Sequence, residues 1–295
     1  MLWFAIVVLG SGQVFAQPPS GYERFFRRLA EEAETFARMA TKVVGLEKLE
    51  QVAADPPPRF RARGTQPQPS YRTRWLVSEY AFSTLPDDPG NLHELRQVLT
   101  VDGKAVRAPG KLRETLTLGQ KTEADKAKKR MLKEFESYGL REAATDFGQL
   151  VLLFTSQAQS DFTFRFARQE NVGAEPALVF AFEQKTGQPA MTVFEGRNVT
   201  RVPLRGELFL RSHDGLPLRI TLDFTDQKDR LPLRRYAMVD YQPSAHGFLL
   251  PASVVYSESV SGKMLVENRC QYSDFKVFGA SSELKFNLEE EPPKK

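Results

Sequence analysis

The sequence predicts an α+β fold rich in β structure, with a curved antiparallel sheet and helices packed on it. Two stretches alternate apolar and polar residues, Asp161-Phe-Thr-Phe-Arg-Phe-Ala and Leu216 to Thr225. In the second, Leu218, Ile220, Leu222 and Phe224 share one face, with Arg219, Thr221 and Asp223 opposite, which is the period of a strand with one wet side. Turn signals then recur at short intervals: Lys185-Thr-Gly-Gln, Glu195-Gly, His213-Asp-Gly, Ala245-His-Gly and Ser261-Gly. Between them lie strand-like runs at Ala177 to Glu183, Glu207 to Arg211, Arg234 to Tyr241, Phe248 to Tyr256 and Lys263 to Phe275, a meander of consecutive antiparallel strands.

Taken from the start, residues 1–16 (MLWFAIVVLGSGQVFA) form an apolar run too short to span a bilayer, with Val14 and Ala16 at the −3 and −1 positions of a signal-peptide cleavage site. No Lys or Arg precedes the run, and no Cys follows it to accept a lipid. Ser20 and Glu23 have the spacing of a capping box, and Phe25, Leu29, Ala33, Phe36, Ala40 and Val44 continue as a helical stripe. A helix over about 21–45, ended by Gly45, is expected. Residues 55–70 (DPPPRFRARGTQPQPS) are dense in Pro and Arg and read as a linker or irregular edge. Strands follow at Tyr71 to Phe82 and Leu92 to Val101, with Asp102-Gly103 as a hairpin turn. Lys121 to Tyr138 lacks Gly and Pro and reads as a helix stopped by Gly139; a second helical stretch is expected from Arg141 to about Phe154. Since no second core of distinct composition appears, residues 17–288 read as one β-rich domain and 289–295 as a tail.

Lys and Arg number 41 against 37 Asp and Glu, and a net charge of +4 spread this evenly does not mark a nucleic-acid binder. The densest basic run, Lys121 to Lys133, is mixed with acids and reads as a solvated helix face. With one cysteine, Cys270, no intramolecular disulfide can form; alternation places it with Met264, Val266 and Tyr272, as a buried and inert thiol. The chain lacks G-x-S-x-G, P-loop, H-E-x-x-H and C-x-x-C motifs, so it reads as non-enzymatic, with no metal or cofactor. His93, His213 and His246 each lie beside a turn or strand start and read as solvated, and no carboxylate pair stands out. Asn198-Val-Thr matches a glycosylation sequon.

Twenty-two phenylalanines are many for 295 residues. Phe164, Phe166, Phe180, Phe182, Ile220, Leu222 and Phe224 share alternating positions and are the candidate wall of an apolar cavity; the rival reading is a plain core. A void among Phe164, Phe180, Ile220 and Phe224 would favour the cavity, and close packing the core.

Gly206-Glu-Leu-Phe-Leu-Arg-Ser-His-Asp-Gly-Leu-Pro-Leu-Arg-Ile, followed by Val239-Asp-Tyr and Gly247-Phe-Leu-Leu-Pro, resembles the strand meander of the outer-membrane lipoprotein-carrier (LolA-like) proteins. The likeness covers roughly Gly206 to Phe286, and the stretches Trp75-Leu-Val-Ser-Glu-Tyr and Glu94 to Lys104 are similar to uncharacterised exported bacterial proteins. The resemblance implies a half-barrel closed by helices around an apolar cavity. The expected function is an exported envelope protein, periplasmic or extracellular, that binds a lipid or acyl chain on the concave face of its sheet. The alternative is an envelope scaffold with a solid core and a protein partner at the Pro/Arg-rich segment or the N-terminal helix. No nucleic-acid partner and no transmembrane segment in the mature chain are expected. N-terminal sequencing of the exported product should begin at or near Gln17; a product that retains Met1 in the cytosol would contradict export.

Overall fold

In a computed structural model, residues 2–5, 20–55, 69–85, 88–110, 112, 121–143, 145–186, 191–195, 198–228 and 231–277 are described. Most of residues 1–16, nearly all of the Pro/Arg-rich segment 55–70 and the whole tail 289–295 fall outside them.

Strand β1 is Leu2–Ala5, within the expected signal segment, and helix α1 is Glu23–Met39. The stripe read from the sequence is the buried one: Phe25, Leu29, Ala33, Phe36 and Ala40 are all covered. Two details differ. Ser20 provides no cap; instead the Glu23 carboxylate accepts the Gly21 amide at 3.0 and 3.1 Å. The helix also stops before 45, through a 3-10 turn at Ala40–Lys42, and Val43, Val44 and Gly45 begin strand β2 (Val43–Ala54). Gly45 serves close packing there, because a Cβ would lie 2.7 Å from the Phe275 ring.

Strands β3 (Tyr71–Leu85), β4 (Asp88–Val101) and β5 (Lys104–Ala105) follow. Asp102 and Gly103 both have positive φ, 48° and 77°, as the tight β4–β5 hairpin demands. Helix α2 (Lys121–Ser137) ends near Gly139, where φ is 74°. The expected second helix is not continuous. Residues 141–143, 145 and 146 are irregular, with Glu142 at φ 49°, and a 3-10 turn spans Phe147–Phe154 with a break at Gln149.

The rest is β: β6 (Phe162–Val172), β7 (Glu175–Gln184), β8 (Met191–Glu195), β9 (Asn198–Val202), β10 (Arg205–Arg211), β11 (Pro217–Lys228), β12 (Leu231–Pro243), β13 (Leu249–Val260) and β14 (Lys263–Val277). Eleven strands form one open, curved antiparallel sheet in the order β5-β4-β3-β2-β14-β13-β12-β11-β10-β7-β6. Every neighbour is also a sequence neighbour except at two places: β2 meets β14, and the β8–β9 hairpin is looped out between β7 and β10. β1 pairs with β8, so that β1, β8 and β9 make a separate small sheet.

Register turns alternation into rows. Phe166, Phe180, Leu208, Ile220, Val239, Val254, Cys270, Leu49 and Leu76 are successive partners from β6 to β3 on the inner face. This apolar row is the floor of the main core, and α1 and the Phe147–Phe154 turn lie over it. Cys270 is buried and free as expected, and burial pushes its thiol well above the ordinary value. The outer face of β6–β12 carries ion pairs instead, such as the exposed Arg168 with Glu207 at 2.5 Å and the half-buried Arg219 with Asp240 at 2.5 Å. No helix among the described residues is long and apolar enough to cross a membrane.

Candidate functional site

The inner face has two halves of opposite chemistry. The aromatic half contains all seven candidate residues. Phe164 pairs across the strands with Phe182, and Phe166 with Phe180; Ile220 and Leu222 lie two strands further, and Phe224 ends the β11 set. Period-2 alternation on adjacent strands in register brings them together. Phe180, Ile220 and Leu222 have no exposed surface, Phe182 and Phe224 are buried, and Phe164 and Phe166 are half-buried on the edge strand β6.

Rings from the covering elements meet this surface directly. From α1, Phe26 lies 4.7 Å from Phe164 and 5.1 Å from Phe180, and Tyr22, just before α1, stacks on Phe166 at 5.6 Å. From the 3-10 turn, Phe154 lies 5.0 Å from Phe182 in an edge-to-face contact. Polar ties are few on this side: Gln159 Nε2 donates to the Phe26 carbonyl at 2.8 Å, and Ser156 Oγ to Glu34 at 2.6 Å. The N-terminal helix is therefore a cover with its apolar face against the sheet.

The other half, under β2–β4 and β14, is polar and buried. The described residues from Arg141 to Asp146 cross it without regular structure and lead into the Phe147–Phe154 turn, so backbone groups along this path need side-chain partners. Arg141 N–H donates to Gln51 Oε1 at 2.9 Å, and Gln51 Nε2 donates back to the Arg141 carbonyl at 2.6 Å. Asn268 Nδ2 donates to the Glu142 carbonyl, Arg96 Nη1 to that of Thr145, and Tyr241 Oη to that of Gly148, at 2.7, 3.0 and 3.2 Å. Gly148 N–H donates to Glu94 Oε1 at 2.5 Å, and a Cβ there would lie 2.6 Å from Tyr80 Oη. Only glycine fits so close an approach.

Around this crossing lie the charges that sequence reading passed over. Arg96 reaches Glu47 at 2.7 Å and Glu94 at 2.5 Å, all three buried. On the side away from β3, the described sheet continues past β4 only at Thr100 and Val101, so there the Glu94 backbone meets no described strand. Side chains serve instead: Asp146 accepts the Glu94 amide at 3.0 Å, and Lys128 from α2 donates to the Glu94 carbonyl at 2.9 Å and to Asp146 at 2.7 Å. His93 Nδ1 lies 3.1 Å from Asp146. His93 and Lys128 are thus buried rather than solvated, because an unpaired strand edge and a carboxylate need them. His213 remains largely exposed, and His246 Nε2 lies 2.8 Å from the Phe275 carbonyl. No cluster of three potential metal ligands occurs among the described residues.

Burial pushes Glu94 up to about 7 despite Arg96, with Asp146 and Glu47 adding to the rise. Burial also opposes the charge on Asp146, but Lys128 and His93 hold its carboxyl below the ordinary value. These groups form a lock for the crossing segment. A raised carboxyl contributes stability that is present below its unfolded value, near 4.5, and lost as pH rises through its folded value, about 7. Denaturation measured across pH 4.5 to 7 should therefore show stability falling as pH rises, and Glu94→Gln should flatten that slope. An unchanged slope in the variant would remove Glu94 from the account.

No protein-family profile matches the chain, and neither does any curated protein. Among solved structures, it is similar to a LolA superfamily protein from Nitrosomonas europaea, 10% identical over 86% of this chain and 94% of that one, with a TM-score of 0.33. It is also similar to a DUF1329 family protein from Desulfovibrio piger, 11% identical over 88% and 93% with a TM-score of 0.35. A third such structure is an outer-membrane lipoprotein-sorting protein domain from Vibrio parahaemolyticus, 10% identical over 86% and 93% with a TM-score of 0.33.

Proposed function

We propose that the protein is a non-enzymatic binding protein of the cell envelope that takes a lipid or acyl chain against the Phe-rich half of its sheet, with α1 as the cover that gives way. The observation that carries this reading is the contrast between the two covers. Buried ion pairs and backbone hydrogen bonds hold the 141–148 crossing, whereas α1 rests on the sheet mainly through apolar side chains. A chain of methylenes can replace such contacts at the loss of few polar ties, chiefly those of Gln159 and Ser156 to α1. Phe164 and Phe166, half-buried at the β6 edge, mark where it would enter.

Magnitudes select the ligand. Displacing Phe25, Phe26, Leu29 and Phe36 forfeits about 1.5–3 kcal/mol for each side chain, while each buried methylene returns about 0.8 kcal/mol. Only a long chain competes. The full burial of Phe180, Ile220 and Leu222 favours the second reading, an envelope interaction module with a solid core.

Binding of an environment-sensitive apolar dye, with displacement by fatty acids of rising length, separates the two. The binding reading expects saturable dye uptake and an affinity that climbs roughly 4-fold per added carbon. Phe26→Leu removes part of a buried ring, so it should lower stability by about 1–2 kcal/mol while loosening the cover and tightening fatty-acid binding. If neither protein takes up dye saturably and the variant is merely less stable, the solid-core module is the correct reading.

A further inference from the structure

Strand β6 ends the eleven-stranded sheet, and among the described strands only β7 pairs with it. The Lys185 amide donates to the Asp161 carbonyl at 2.8 Å, so Thr163 and Arg165, in the same register, also bond toward β7. The N–H and C=O groups of Phe162, Phe164 and Phe166 therefore point away from the sheet. The opposite edge is treated differently: there Asp146 and Lys128 take up the Glu94 backbone. No such side-chain cap reaches Phe162 to Phe166 among the described residues. The β6–β7 pairing shifts register between Phe166 and Arg168, and the regular free edge ends there.

The two faces of this edge call for different side chains. On the inner face, Phe164 and Phe166 remain half-buried, although the apolar row that Phe166 ends is buried on every other strand. On the outer face, the arginines of this and neighbouring strands are engaged: Arg168 with Glu207, Arg219 with Asp240, Arg234 with Asp223, and Arg205 with the Asp223 carbonyl. Arg165 is exposed and has no partner among the described residues; opposite it on β7 is Ala181. It lines a groove of about 670 Å³ together with Thr163, Ala181 and Tyr236. Glu183 lines the same groove but sits opposite Thr163 and Arg205.

We infer that the β6 edge binds an extended peptide as a further strand, with apolar side chains over Phe164 and Phe166 on the inner face and an acidic side chain beside Arg165 on the outer one. Main-chain bonds to Phe162, Phe164 and Phe166 supply the affinity, and the alternation of apolar and acidic residues supplies the selectivity. The inference rests on the edge alone and needs no movement of α1.

Fluorescence anisotropy of a labelled heptapeptide alternating valine and glutamate, titrated with the full chain, tests the edge. Saturable binding is expected, and a peptide alternating valine and lysine should bind about 5-fold more weakly, the factor of an exposed charge contact. Arg165→Glu changes a surface residue and should reverse that preference with the thermal midpoint retained. Methylating alternate peptide nitrogens blocks one edge of the added strand and leaves the other open, so of the two alternately methylated peptides one should bind as before and the other not at all. Equal binding of those two, an unchanged preference in Arg165→Glu, or no saturable signal would overturn the inference, as would a dimer of the chain that excludes the peptide. Peptide binding by a chain that takes up no apolar dye would retain this inference and remove the lipid reading, and dye uptake without peptide binding would do the reverse.

Discussion

An irregular stretch of backbone laid inside a sheet must find a partner for every amide and carbonyl it buries, and the crossing at residues 141–148 sets that demand here. Regular backbone hydrogen bonding begins only at the Phe147–Phe154 turn, so side chains from the sheet must reach inward. Gln51 from β2, Glu94 and Arg96 from β4, Tyr241 from β12 and Asn268 from β14 do so. Once anchored, the crossing positions the Phe147–Phe154 turn above the middle of the sheet, and that turn forms one side of the bed on which α1 lies.

The same demand divides the protein energetically. In the polar half, a buried ion pair stabilises little over an apolar replacement, yet removing one partner costs about 3–5 kcal/mol because the other charge is stranded. Glu47, Arg96, Glu94, Lys128 and Asp146 are coupled in this way, which gives the crossing one permitted arrangement. In the aromatic half, Phe26, Phe154, Phe164, Phe180 and Phe182 meet through ring contacts that impose no hydrogen-bond geometry. Such contacts can be exchanged piecemeal for a ligand's. Rigidity on one side and replaceable packing on the other is the physical basis of the proposed function.

Legibility in the sequence followed this division. The strands β6, β7 and β10 to β13 alternate cleanly, so their faces and the clustering of Phe164, Phe166, Phe180, Phe182, Ile220, Leu222 and Phe224 could be read directly, as could the stripe of α1. β2 was not read at all. Its inward positions are Glu47, Leu49, Gln51 and Ala53, and the two polar residues that hold the crossing and its charges break the period of a half-buried strand. For the same reason His93, Lys128 and Asp146 gave no signal, since they meet only when α2 and residue 146 come to the open edge of β4. The 141–154 stretch looked helical because its apolar residues are real core residues; Glu142 with positive φ and Gln149 in the bridge region break it, and neither is a glycine.

Native-state hydrogen exchange of the amides of Arg141, Gly148 and Val151 tests this dependence most directly. Each donates to a side-chain acceptor, Gln51, Glu94 and Tyr241 respectively, and none is held by a strand ladder. If the crossing is the anchor of the fold, these amides should exchange only through global unfolding, with the same free energy as Val254 and Ile220 in the central strands. Rapid exchange at Arg141 and Gly148 beside a protected sheet would show that the crossing opens freely and that the sheet stands without it.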